Sequence, residues 1–343
     1  MLERNGVPLS ALTTLRVGGA ARQLVEVDTR AELIDAVSDP RFEAGLVLGG
    51  GSNLVVADAG VDVLVVAVRT AGITVTRDAE EVVLDVAAGE PWETLVERCV
   101  EEGWSGVEAL SGIPGSVGAT PIQNVGAYGQ EVAEVISHVE VFDRSTQNVQ
   151  LMSATECVFG YRSSVFKVEP QRFVVISVSF RLRASPVGAP VQYAQLAGRL
   201  GVDVGAVASL SDVRAAVLDL RRSKGMVLDD VDHDTWSAGS FFMNPVLEAS
   251  DVPPDAPRWD QTDGRVKTSA AWLIEHSGFP KGFGADLGTG AAALSSKHTL
   301  AITNRGGATT ADVLLLARTV RAGVHERFGV ALRAEPTLVG VEL

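Results

Sequence analysis

Cysteine is nearly absent. Only Cys99 and Cys157 occur in 343 residues, and their spacing makes neither a disulfide framework nor a zinc site. Cys99 lies on the apolar face of an expected helix and belongs to a core. Positive charge is outnumbered: 29 Lys and Arg stand against 43 Asp and Glu, a formal net charge of −14. That balance argues against nucleic acid or an anionic membrane as partner. No apolar run approaches a membrane span. The opening MLERNGVPLSALTT has no basic-then-apolar signal pattern, so a cytoplasmic protein is expected. The histidines, His138, His233, His276, His298 and His325, show no metal-ligand spacing, and no metal is expected. There is no phosphate-binding G-x-x-x-x-G-K-[ST] and no G-x-S-x-G. The closest approach to G-x-G-x-x-G begins at Gly288, but KGFGADL precedes it. That is no buried strand, so a Rossmann site is set aside. No repeat or low-complexity linker interrupts the chain.

What is present is a 46% hydrophobic chain, long enough for two or three domains. Strands are expected at 45–48, 54–57, 63–68, 82–88, 135–143 and 173–183. The last alternates cleanly, with Ile176, Val178, Phe180 and Leu182 on one face. Thr29 and Glu32 form a capping-box pattern. Pro91 opens a helix with Trp92, Leu95, Val96, Cys99 and Val100 on one side, closed by Gly103. Ser185–Pro190 is a proline-glycine break. Three later helices are expected: one capped by Ser211, one through Ala270–Ser277, and one over 311–328 between Thr310 and Gly329. Strands and glycine loops come first, helices later, as in a cofactor domain followed by an α+β domain.

Two segments are too rich in glycine to be a core helix and too apolar to be an ordinary surface loop. Ala109–Val132 reads ALSGIPGSVGATPIQNVGAYGQEV, and Leu48–Val56 reads LGGGSNLVV. Each is either a tight structural loop or a cradle whose backbone N–H groups face a ligand. Three polar positions stand out. Arg162, in CVFGYRSSVFK, is either a pocket guanidinium or a surface arginine lying over Phe159 and Phe166. Ser240, in AGSFFMNPV, either satisfies local backbone or faces a site. Glu335, in an apolar tail, must reach solvent or point into a site.

Taken in order, TTLRVGG (Thr13–Gly19), LGGGSNLVV, SGIPGSVGATPIQNVGAYGQEV, CVFGYRSSVFK, AGSFFMNPV, KTSAAWLIEHSGF and AEP resemble the UDP-N-acetylenolpyruvoylglucosamine reductase family nearly end to end. PVQYAQL, at Pro190–Leu196, resembles the tyrosine loop of its longer subtype. The resemblance implies an α+β protein. A vanillyl-alcohol-oxidase-type (PCMH-type) FAD-binding fold occupies subdomains 1–70 and 71–205. A C-terminal α+β substrate-binding domain covers 206–330, and a tail, 331–343, returns to the active site. It implies non-covalent FAD, with Gly49, Gly50, Gly51, Ser52, Asn53, Gly115, Ser116, Gly118 and Asn124 as cofactor-binding residues. NADPH is the implied co-substrate. Tyr161, Tyr193, Lys224 and Asn244 would bind the UDP-sugar. Arg162, Ser240 and Glu335 would be catalytic. The implied partners are small molecules only, with no nucleic acid and no membrane insertion, and the protein would be a monomer. Met243 departs from the family, where lysine is common. Thr337 is a second departure. Competing readings are another FAD-dependent sugar or hydroxy-acid oxidoreductase of the same flavin fold, and a non-catalytic UDP-sugar-binding protein.

Overall fold

A computed structural model describes residues 1–343. The chain divides into two compact units, and the division interleaves. One unit holds Met1–Val7, Ala21–Gly50 and Asp62–Ser223; the other holds Pro8–Ala20, Gly51–Val61 and Lys224–Leu343. These units fall differently from the four segments expected from sequence. Residues 206–223 sit in the first unit, and 8–20 and 51–61 sit in the second.

The first unit carries two sheets. A four-stranded sheet orders Leu2–Pro8, Ala20–Val27, Val61–Val68 and Leu46–Leu48, with the last two parallel. The larger sheet is antiparallel: Asn148–Ser153, Ile136–Asp143, Phe173–Ala184, Glu81–Ala87 and Ile73–Arg77, with Trp104–Ser105 beside Phe173–Ala184. The expected alternation holds, since Ile176, Val178, Phe180 and Leu182 all reach the core. Ser179 on the opposite face is also buried, because it bonds to Asp85 and His138 across the strands. The helix Trp92–Glu101 buries Trp92, Leu95, Val96 and Cys99 in the same core. Burial pushes the Cys99 thiol up to about 12, so it stays protonated and inert. Pro91 is the cap rather than the first helical residue.

The second unit is built on two helices, Ala270–His276 and Thr310–Phe328. They pack Leu273, Ile274, Val313, Leu316 and Val320 around Phe241 and Phe242. Small sheets complete it. Val246–Leu247, Val266–Thr268 and Arg258–Asp260 pair antiparallel, as do Ala292–Leu294 and Ile302–Asn304. Thr337–Val339 from the tail runs parallel to Leu54–Val56. Two caps shift by a residue or two from the sequence expectation. The Ser209 hydroxyl, not Ser211, accepts the Asp212 N–H. Thr309, not Thr310, closes a capping box with Asp312. Gly329 takes the left-handed cap as expected.

Candidate active site

In the first unit, the two glycine segments meet backbone to backbone. A Cβ on Gly50 would lie 2.6 Å from Gly115 Cα, and one on Gly49 would lie 2.3 Å from Ser116 Oγ. Neither position accepts a side chain without moving main chain or hydroxyl. Gly118 is held differently. A Cβ there would meet Ala88 at 2.5 Å, and its N–H already donates to the Ala88 carbonyl at 2.8 Å. Val117 N–H donates to Glu90. Gly118 therefore packs the cradle against the sheet, and its N–H is not open to a ligand as the sequence expectation required.

The rest of the first glycine run belongs to the second unit. Gly51 sits at φ 63, and a Cβ there would fall 1.9 Å from the Leu12 carbonyl. Only glycine fits this crossing of chains. Thr14 donates its hydroxyl to Ser237 O at 2.7 Å, and its N–H bonds Gly51 O. The Asn53 carbonyl accepts from Thr337 N–H at 2.9 Å, so the tail grips the loop. Thr13 Oγ1, next to this crossing, is buried and has no hydrogen-bond partner. A buried orphan hydroxyl costs about 1–3 kcal/mol unless a bound group satisfies it. Within the second unit, this orphan donor fits a polar, acceptor-bearing ligand.

Arg162 sits in a four-residue turn closed on itself by Gly160 and Ser163, each N–H donating to the other's carbonyl. Its own φ is 50, a position glycine or asparagine usually fills. The guanidinium donates from Nη2 to Gly126 O at 2.9 Å and from Nη1 toward Asn124 O at 3.5 Å. It also lies 5.6 Å from the Tyr161 ring. The side chain is thus aimed by the main chain of the second glycine segment. Asn124 is fully buried, and its amide is saturated by protein: Nδ2 donates to Glu131 and Gly160 O, and Oδ1 accepts from Ala133 N–H. It frames Arg162 rather than offering its side chain to a cofactor.

Tyr193, the expected loop tyrosine, caps the short helix Ala194–Leu200 and is exposed. Its ring meets Tyr128 edge-on, 5.5 Å between centroids. Tyr128 sits at φ 51, and burial raises its hydroxyl pKa.

Ser240 and Glu335 are neighbours in the second unit. The strand-like run through Phe241–Met243 pairs with Arg333–Glu335. Glu335 N–H donates to Phe241 O at 2.9 Å, and Met243 N–H donates to Arg333 O at 3.0 Å. Phe241 and Phe242 are each 1% exposed, so this pairing is anchored in the core. Gly239 at φ 73 turns the chain into Ser240. Asn244 Oδ1 accepts the Ala270 N–H at 2.9 Å, tying the same run to a helix start. Lys224 and Lys281 both lie near His298. Burial first, then those two ammonium groups, pull the His298 imidazole down to about 4, so it is neutral near pH 7.

Sequence reasoning passed over Thr13, Glu131 and His298. Thr13 lies inside the TTLRVGG motif, and Glu131 is the first charge after the glycine segment. Those were the available signals.

Residues 21–151 match the family model for an FAD-binding domain, and residues 230–339 match that for the C-terminal domain of UDP-N-acetylenolpyruvoylglucosamine reductase. The reductase of Thermobifida fusca is 52% identical, over 98% of each chain. That of Cutibacterium acnes is 51% identical, over 97% of this chain and 89% of its own. The crystal structure of the Thermus caldophilus enzyme covers 98% of this chain and 100% of that one, at 29% identity and a TM-score of 0.66. The expected combination of an FAD-binding fold and a C-terminal α+β domain is the one found, and the chain belongs to the UDP-N-acetylenolpyruvoylglucosamine reductase family.

Proposed function

We propose that this protein reduces UDP-N-acetylglucosamine enolpyruvate to UDP-N-acetylmuramate, with NADPH as reductant, in peptidoglycan precursor synthesis. The observation that carries the reading is the identity of about half, over nearly the full length, to reductases; Arg162, Ser240 and Glu335 lie in the segments that resemble the family's motifs. FAD, bound without a covalent tether, supplies hydride acceptance and donation. Gly49, Gly50, Gly51, Ser52, Asn53, Gly115 and Ser116 would hold it, and the Thr13 hydroxyl would gain its missing acceptor there.

Hydride addition at C3 of the enol ether develops negative charge at C2 and in the adjoining carboxylate. Arg162 binds that carboxylate through a planar pair of N–H donors and remains ionised throughout. Glu335 contacts the same carboxylate beside Arg162. Ser240 delivers a proton to C2 and regains its own through water or a neighbouring group. A serine hydroxyl is a weak acid, but an enolate carbon is a strong base, so correct placement suffices. Tyr161, Tyr193, Lys224 and Asn244 bind the sugar nucleotide, with Lys224 on the diphosphate. The protein acts on small molecules as a cytoplasmic monomer. No helix is long and apolar enough to cross a membrane.

The test is direct. The purified protein should be yellow, and denaturation should release the colour into the supernatant. NADPH should bleach the bound flavin, and the enolpyruvyl sugar nucleotide should restore it. A bleached flavin reoxidised by oxygen alone, with no response to the sugar nucleotide, would favour the other oxidoreductase reading. A colourless protein that still binds the sugar nucleotide, with cofactor loss in purification excluded, would favour the non-catalytic one.

A further inference from the structure

Arg162 and Asn124 share an unusual feature. Both are non-glycine residues in the left-handed region, at φ 50 and φ 47, and they face each other. Asparagine adopts this conformation readily, but at Arg162 it costs free energy and persists only where surroundings over-determine it. The surroundings here converge on one side chain. Glu131 accepts Asn124 Nδ2 at 2.7 Å. The same Asn124 amide nitrogen reaches the Gly160 carbonyl at 3.2 Å, at the start of the Arg162 turn. Asn124 Oδ1 takes the Ala133 N–H at 3.1 Å. The carbonyls of Asn124 and Gly126 are main-chain acceptors of the guanidinium.

Glu131 also governs Gly126 directly. The two residues are cross-strand partners in the small hairpin of Gly126–Ala127 and Gln130–Glu131. A Cβ on Gly126 would lie 2.7 Å from Glu131 Cγ and 3.4 Å from Arg162 Nη1. The glutamate stem and the guanidinium therefore both pass close beside this glycine. One half-buried carboxylate fixes the side chain that clamps the Arg162 turn and the strand that supplies a carbonyl acceptor.

We propose that Glu131 is the positioning residue for Arg162, acting through Asn124 and the Gly126 hairpin as a hydrogen-bond acceptor without touching substrate. The proposal rests on Arg162 binding the substrate carboxylate, as read above. A misaimed guanidinium would bind that carboxylate poorly and stabilise the developing charge poorly.

The experiment uses the FAD-loaded enzyme and rapid mixing, with flavin reduction by NADPH and reoxidation by the enolpyruvyl sugar nucleotide followed separately. Glu131→Ala should slow reoxidation about tenfold, while reduction stays within about twofold of wild type. Glu131→Gln keeps an acceptor for Asn124 and should restore most of the reoxidation rate. In an Arg162→Ala background, Glu131→Ala should cause no further loss, because a positioning residue has nothing left to aim. If Arg162→Ala itself reoxidises normally, the assignment of Arg162 fails first. If Arg162→Ala is slow but Glu131→Ala matches wild type, Glu131 is not its positioning residue. Equal losses from Glu131→Ala in both backgrounds, or Glu131→Gln as slow as Glu131→Ala, would also overturn the proposal.

Discussion

The main-chain N–H of Glu335 donates to the carbonyl of Phe241 at 2.9 Å. That bond sets Ser240, one residue before Phe241, beside the tail that carries Glu335. Both neighbouring phenylalanines are core residues, so this main-chain pairing is anchored in the core. Ser240→Ala removes one hydroxyl and leaves this frame intact. Flavin reduction by NADPH should proceed normally, and reoxidation by the enolpyruvyl substrate should slow by about 10²–10⁴-fold, the usual contribution of a positioned general acid. Rapid-mixing absorbance at the flavin band measures both steps. Normal reoxidation would mean that another group donates the proton.

Lys224 and Lys281 both bear on His298 and help keep its imidazole neutral. The proposed role of Lys224 is to bind the diphosphate of the sugar nucleotide. Lys224→Ala should weaken binding of the UDP-sugar by about 1.5–3 kcal/mol, the value of a charge-assisted hydrogen bond. Titration calorimetry reads this directly. An unchanged dissociation constant would remove Lys224 from the diphosphate site.

The elements that could be read from sequence are those whose burial is one-sided. The helix 92–101 shows its core stripe at helical spacing, and the strand 173–184 alternates. Asn148–Ser153 was not legible because five of its six residues are exposed, so no alternation marks it. Ile73–Arg77, at the other sheet edge, alternates but is only five residues long, with Ile73 and Val75 half-buried. The interleaving of the units was not legible either. It depends on pairs such as Leu54 with Thr337, which no local pattern records. At the candidate site, motif order singles out Arg162, Ser240 and Glu335. It did not reveal that Asn124 has every amide atom engaged by protein, since hydrogen-bond saturation is a tertiary property.

Asp143 gives the first unit a defined acid sensitivity. Burial alone would raise its pKa, but Arg172, the Ser145 hydroxyl and the Ser145 N–H together outweigh that and bring it to about 2. The folded pKa lies below the unfolded one. The resulting stability, about 2 kcal/mol, is therefore fully present above the unfolded carboxylate pKa and is lost as pH falls toward 2. Asp143→Asn should lower the melting temperature at pH 7 and flatten its fall between about pH 4 and 2. Parallel acid melts of wild type and variant compare the slopes. Identical slopes would place the acid sensitivity elsewhere.

Thr13 offers a test of the cofactor site that does not depend on turnover. Its hydroxyl is buried without a partner, and the crossing beside it tolerates no side chain at Gly51. In the protein stripped of FAD, that hydroxyl is a desolvated donor with no acceptor. Thr13→Val keeps the shape and removes it, so the FAD-free variant should be as stable as wild type or more so, by up to about 1–2 kcal/mol. With FAD bound, the sign should reverse. The variant forgoes the hydrogen bond that wild type gains from the cofactor, and its FAD dissociation constant should rise about 5- to 10-fold. Melting curves with and without FAD, together with flavin-fluorescence titration, give both numbers. Stabilisation without FAD together with weakened FAD binding would mark Thr13 as a cofactor contact. Equal destabilisation in both states would mean that the hydroxyl has a structural partner in solution and that the cradle does not use it.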